Sequence, residues 1–250
     1  MKSLNRNKLS IQVGLYGLSF FLKTEEGENL LTLDYYPEKG ENFLKFLQAE
    51  IKNLHIKETA FDRVNLFHHH PYQVLIPNAL YNPENEKDYL KTNVKVFKYD
   101  HTERDRIESV QGVNVYIPFE EISTYLKENF SGIQSYHSLT PLIEYTLGYT
   151  SKNTIKNAVF IRVMQRDFQM VVIRDSKFIF ANTFPLDSKD DLLFYVLFIW
   201  EELQLENYSP EIFLTGQNED LFLLKKELEM FNPSVLMNKK TEHDILSMYL

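Results

Sequence analysis

Short apolar runs broken by turn residues open the chain. Leu9–Leu15, Leu18–Lys23 and Asn29–Tyr36 predict three strands in a meander, separated by Tyr16-Gly17 and Glu25-Glu26-Gly27. The period then changes. Between Glu41 and Leu54, residues Phe43, Phe46, Leu47, Ile51 and Leu54 recur at three- and four-residue steps, which is one face of a helix. The same succession returns about 150 residues later. Asn157–Met164, Phe168–Arg174 and Lys177–Phe184 predict three more strands, with Asp175-Ser176 at the second turn. Ser188, with Asp191 three positions on, resembles a capping box with Asp in place of Glu, and opens a helix to about Leu205. A strand at Glu211–Thr215, a helix with Leu221, Leu224, Leu228 and Phe231 on one face, and a short strand near Val235 follow.

The order strand–strand–strand–helix–strand–helix therefore occurs twice, and the repeat rests on element order rather than on residue identity. The middle, Arg63–Gly148, adds predicted strands at Val64–His68, Tyr72–Ile76, Val94–Tyr99 and Val113–Pro118. It also adds helices near Phe119–Phe130 and Leu139–Leu147. Helices alternating with strands in this way predict a mixed α/β architecture with helices packed on sheets.

Composition narrows the function classes. At 250 residues and 44% hydrophobic, with 19 Phe and 15 Tyr, the chain can bury a sizeable core, as one large domain or as two lobes. Lys+Arg 27 against Asp+Glu 35 leaves a net charge of −8, which disfavours a phosphate-tracking nucleic-acid binder. With no cysteine, disulfides, thiolate nucleophiles and Cys-based zinc sites are excluded, and a reducing cytoplasm suits the chain. The basic start MKSLNRNKLS is not followed by the apolar core of a signal peptide. The most apolar run, Leu192–Trp200, has nine residues against the roughly 20 that a membrane span needs, so it predicts a buried helix with no membrane insertion.

A meander of three strands followed by helix–strand–helix, doubled, resembles the actin-like ATPase superfamily, the ribonuclease-H-like fold. The second half is most similar to the type IV pilus assembly ATPase-like branch. It carries Phe184-Pro185-Leu186, the helix after Ser188, and Phe213-Leu214-Thr215-Gly216. The first half matches through Leu9–Leu22, and Val74-Leu75-Ile76-Pro77-Asn78 resembles a segment of the first lobe in that branch. In length and element order the whole chain also looks like an uncharacterised bacterial family of unknown function. The resemblance implies a duplicated fold of two lobes, residues 1–152 and 153–250, each a mixed sheet flanked by helices.

Members of the superfamily that hydrolyse ATP carry Asp-x-Gly in both hairpins, where the aspartates hold magnesium and the glycines admit phosphate. Here the first such position reads Gln12-Val13-Gly14 and the second Arg162-Val163-Met164, so both aspartates are gone. Arg162 and Arg166 match phosphate geometry as guanidinium groups, and Gly216 stands at a strand-to-helix turn. Gly14, Arg162, Arg166 and Gly216 are thus the candidates for a degenerate nucleotide or anion cleft, with no cofactor expected.

Other signals are weaker. His68 and His70 share one face of a strand ending at Pro71, and an imidazole pair binds zinc only with a further ligand. His55, His101, His137 and His243 stand alone in sequence, as do the carboxylates Asp34 and Asp62 that a nuclease would need to cluster. The mixed run His101–Arg106 reads as a solvated loop. The helix bearing Phe194, Tyr195, Phe198 and Trp200 reads as buried on several sides, with an oligomer interface as the sharper alternative. Together these features predict a non-catalytic actin-like protein that acts through a protein partner or a second copy of itself. The alternative is nucleotide or anion binding in the cleft between lobes, with weak or no hydrolysis.

Overall fold

The computed structural model describes residues 7–35, 42–216, 221–237 and 241–250. Strands β1 (Lys8–Gly14), β2 (Gly17–Thr24) and β3 (Gly27–Asp34) form the first meander. Helix α1 (Phe43–Asn53) follows, its first turn capped by the Asn42 side chain, which accepts from the Leu44 N–H. Strand β4 (Arg63–His69) leads into an insertion of β5 (Gln73–Pro77), α2 (Glu86–Leu90), β6 (Glu103–Ile107) and β7 (Gly112–Tyr116). The first unit closes with α3 (Glu120–Asn129), β8 (Gln134–His137) and α4 (Leu139–Lys152). The second unit runs β9 (Ala158–Val163), β10 (Asp167–Arg174), β11 (Lys177–Pro185), α5 (Lys189–Glu202), β12 (Glu211–Gly216), α6 (Leu221–Glu229), β13 (Val235–Met237) and α7 (Thr241–Ser247).

The two large sheets have one topology. Their orders are β3-β2-β1-β4-β8 and β11-β10-β9-β12-β13, and the insertion forms a separate sheet, β5-β7-β6. In each large sheet the first strand is antiparallel to the second and parallel to the fourth, which is parallel to the fifth. Even the register repeats: Gln12 faces Ser19 across the first hairpin, and Arg162 faces Gln169 across the second.

One face of the first sheet, with Leu9, Ile11, Val13 and Leu66, packs under α1 and α3. One face of the second, with Val159, Ile161, Met170 and Val172, packs under α5 and α6. The remaining faces turn toward α4 and α7. Leu139, Leu142 and Ile143 of α4 pack on Ala158, Phe160 and Val171, together with Ile245 of α7. On the first sheet, Phe21 and Phe67 pack against Leu246, and the Ser10 hydroxyl donates to the Leu246 carbonyl at 2.7 Å. The last helix thus joins both sheets.

Four sequence expectations are corrected. Residues 94–99 form no strand: Val94 and Val96 lean on the insertion's core, while Phe97 and Tyr99 are exposed beside a turn closed by Asp100. His101–Arg106 is not all solvated loop, since Glu103–Ile107 is β6. Asp105 and Ile107 point inward, Arg104 pairs with Glu86 at 2.7 Å, and Arg106 covers the Tyr81 ring. One of these two inward residues is an acid, so the apolar alternation that marks a strand is broken. The Leu221 helix stops at Glu229 and leaves Phe231 exposed. The helix after Ser188 has the expected capping box, yet it is not buried all round, because Phe194 and Phe198 face solvent.

Gly216 ends β12 opposite Val163, where the strands approach so closely that a Cβ would lie 1.9 Å from the Val163 carbonyl oxygen. Its φ of +139° is one that side-chain-bearing residues rarely adopt. Gly216→Ala is therefore expected to destabilise the protein by at least about 3 kcal/mol in urea unfolding, through clash and backbone strain together.

Candidate functional site

The cleft between the two hairpins is where an actin-like ATPase would hold nucleotide, and here it is a packed seam. The register repeat explains why. Gln12 on β1 and Arg162 on β9 occupy equivalent positions, and both side chains leave their sheets toward the same space. There Arg162 Nη2 donates to Gln12 Oε1 at 2.6 Å, across 150 residues of sequence. Arg162 Nη1 donates to Gln169 Oε1 at 3.1 Å. Arg162 is fully buried, so its charge is stabilised by oriented amide oxygens rather than water.

A second chain of bonds runs beside the first. His69 Nε2 meets Asp167 Oδ1 at 2.6 Å, His69 Nδ1 meets Ser138 Oγ at 2.8 Å, and Gln169 Nε2 donates to Ser138 Oγ at 2.9 Å. Serine, histidine and aspartate in that order also compose hydrolase triads. This serine is fully buried and accepts the Gln169 amide. The cavity that touches His69 and Asp167 measures about 10 Å³, room for no more than a single water. Ser138 is thus enclosed in a network that links β4, the start of α4 and β10.

The mouth is stitched as well. Arg166 pairs with Asp187 at 2.9 Å and lies 4.9 Å from the Tyr16 ring centroid on the opposite hairpin. Gln165 Nε2 donates to Asp34 Oδ1, again between the hairpins. Met164 is buried and lines the same small cavity as Gly14. Of the four sequence candidates, Gly14 lines this filled gap and Arg166 closes its edge. Arg162 is buried and hydrogen-bonded to Gln12 and Gln169. Gly216 is held by the close approach to Val163 described above.

His68 and His70 do not stand as a bare pair, and His137 is not alone. The ring of His70 lies 6.4 Å from that of His68 and 5.0 Å from that of His137. In each ring Nδ1 accepts a backbone N–H, from Phe119, Tyr72 and Leu139 respectively. A neutral imidazole accepting at Nδ1 carries its proton on Nε2. His68 Nε2 bonds Ser135 Oγ at 2.9 Å, and His137 Nε2 bonds the His70 carbonyl at 2.9 Å. The lone pairs a metal requires are spent on the backbone, and among the described residues no group of three His, Asp or Glu is arranged to hold an ion. Burial drives the His70 pKa down to about 3 and those of His68 and His137 well below the ordinary imidazole value, so all three stay neutral.

Close by, Asp105 Oδ2 accepts from the His137 N–H at 2.8 Å and from the Thr140 hydroxyl at 2.6 Å. Burial pushes its pKa up to about 7, only partly countered by those two bonds. Sequence reasoning missed His69, Ser138, Asp167, Gln169 and Asp105. A signal was available for Gln169 alone, as an amide inside the otherwise apolar strand Phe168–Ile173.

Residues 1–235 match the family described as "Protein of unknown function (DUF3822)". The chain belongs to that family. A Bacteroides thetaiotaomicron protein "with actin-like ATPase fold and unknown function" superposes with a TM-score of 0.81 at 19% identity, over 97% of this chain and 96% of that one. The chain has the actin-like fold. The PilM–PilN type IV pilus biogenesis complex follows at a TM-score of 0.52 and 14% identity, over 94% of this chain and 89% of that chain. No curated protein sequence matches.

Arg162→Leu is expected to leave two buried amide oxygens unpaired and to cost about 3 kcal/mol in urea unfolding, where a surface Arg→Leu change costs under about 0.5. For Asp105, the native state holds a proton that the unfolded chain releases between pH 4 and pH 7. Stability from this group therefore falls as pH rises through that window and is constant above it. Asp105→Asn keeps the acceptor and removes the charge. Its stability relative to the parent protein should rise from pH 4 to 7, by of order 2–4 kcal/mol, then level off. A pH-independent difference in denaturant midpoints would contradict this.

Proposed function

We propose that the protein is a non-catalytic member of the actin-like group, a protein-interaction or scaffold module whose nucleotide cleft has become a structural joint. The observation that carries the reading is the Gln12–Arg162 hydrogen bond, made by the two side chains that stand where metal-holding aspartates would be. With those aspartates absent, positions 12 and 162 offer magnesium no carboxylate pair, and the gap lined by Gly14, Met164 and Asp167, about 10 Å³, is too small for a phosphate group. The reading treats residues 1–152 and 153–250 as two lobes, with α7 crossing back onto the first sheet.

Closure of two domains around a ligand needs a seam that can open, and a hydrogen-bonded, desolvated seam opposes opening. A fold that neither opens nor turns over nucleotide retains its surfaces, and PilM, of similar fold, occurs in a complex with PilN. By that analogy the partner is another polypeptide, and neither nucleic acid nor a membrane-spanning role is invoked. Among the described residues no helix is long and apolar enough to cross a membrane.

Calorimetry with magnesium-ATP, paired with a phosphate-release assay, checks this. The expected outcome is no binding heat and no phosphate above a protein-free control. Micromolar binding with turnover that disappears in Gln12→Ala or Arg162→Ala would overturn the reading.

A further inference from the structure

Helix α5 buries Leu192, Val196 and Ile199 against the second sheet, which already satisfies its share of the core. Its opposite side carries a second apolar feature that packing does not explain. Phe194 is 63% exposed and Phe198 49% exposed, and their rings stack at 6.3 Å with planes 12° apart. Exposed aromatic pairs do nothing for helix propensity and invite association. The residues on either side complete the pattern. Asp190, Phe194, Phe198 and Glu201 recur at four-, four- and three-residue steps, so they form one stripe, acidic at both ends and aromatic in the middle. Beyond Lys189 the helix contains no basic residue, and exposed Glu202 adds to the acidic end.

We propose that this stripe docks a basic amphipathic helical segment of a partner protein. The inference rests on the interaction-module reading above and gives it a surface and a partner chemistry. The apolar centre of the partner covers the Phe194–Phe198 stack, and its Lys or Arg side chains lie over Asp190 and Glu201. At 1.5 Å per residue the stripe spans roughly 16 Å, which calls for a segment of about twelve residues with its basic groups near the ends. Charge selects against pairing of two α5 helices from two copies of this chain. Antiparallel pairing of two α5 helices sets Asp190 against Glu201 at both ends, and parallel pairing sets each acid against itself.

The chain has a single tryptophan, Trp200, half-buried on this helix and packed against the second sheet's core, so its emission serves as a secondary readout beside calorimetric heat. The probe is an amidated helical peptide of about twelve residues with leucines on one face and lysines at both ends. The control replaces the lysines by glutamates. The full chain is expected to bind the lysine peptide, with a shift in Trp200 emission and matching calorimetric heat, and to ignore the glutamate peptide. Added salt should weaken the binding. Phe194→Ala/Phe198→Ala should lower affinity about tenfold or more, and Glu201→Lys should lower it as well, with far-UV circular dichroism unchanged because these side chains are exposed.

Equal binding of the two peptides, no binding of either, or full affinity in the double alanine variant would overturn the proposal. Concentration-dependent dimerisation lost in that variant would replace the partner by a second copy. If the peptides fail while ATP is still not turned over, the interaction-module reading stands and its surface lies elsewhere. ATP turnover would remove that reading whatever the peptides do.

Discussion

The buried hydrogen bond between Gln12 and Arg162 is the constraint around which the molecule is arranged. A guanidinium taken out of water must find oriented acceptors, and the fold supplies them from two sources. Gln169 comes from the neighbouring strand and Gln12 from the other sheet. Because one of the acceptors belongs to the opposite hairpin, satisfying Arg162 requires the two sheets to stay together. His69–Asp167 and the Ser138–Gln169 bond then tie the same pair of surfaces a second time. Opening the cleft would strand several buried polar groups at once, which opposes separation of the two sheets.

The duplication makes this joint arise naturally. Two hairpins of one topology, packed against a shared pair of helices, present equivalent strand positions to each other. In a nucleotide-dependent relative those positions would converge on a metal and phosphates. Here a neutral amide and a cation converge on each other. The same geometry that assembles a catalytic centre from two half-sites assembles a contact when the half-sites carry complementary hydrogen-bonding groups. The nearby histidines follow a parallel logic. Each gives its Nδ1 lone pair to a backbone N–H near the start of α3 or α4 or at the β4–β5 turn, so imidazoles that look like ligands in sequence serve as caps in the fold.

Much of the architecture was legible from periodicity. The doubled meander, the capping box at Ser188 and Asp191, and the amphipathic faces of α1 and α6 are local patterns, written in residues a few positions apart. Strand β6 escaped because Asp105 holds its inward position, and β8 because Gln134–His137 is short and polar on both sides. Val94–Tyr99 misled in the other direction, since alternating valines can lean on a small core without joining a sheet. The absence of the two aspartates was visible at once, which made the loss of metal chemistry an expectation before any contact was known.

What the sequence determined by itself was therefore the repeat, the fold class and the missing carboxylates, because each depends on spacing along the chain. It read Arg162 as a free anion-binding group and the histidines as isolated or loosely paired. Only the tertiary structure decided that Arg162 is buried on Gln12, that His69 bridges Ser138 and Asp167, and that Phe194 and Phe198 remain in solvent. The reason is physical. Whether a polar side chain binds a ligand or holds the protein together depends on which distant acceptor fills its hydrogen bonds, and that acceptor can lie 150 residues away.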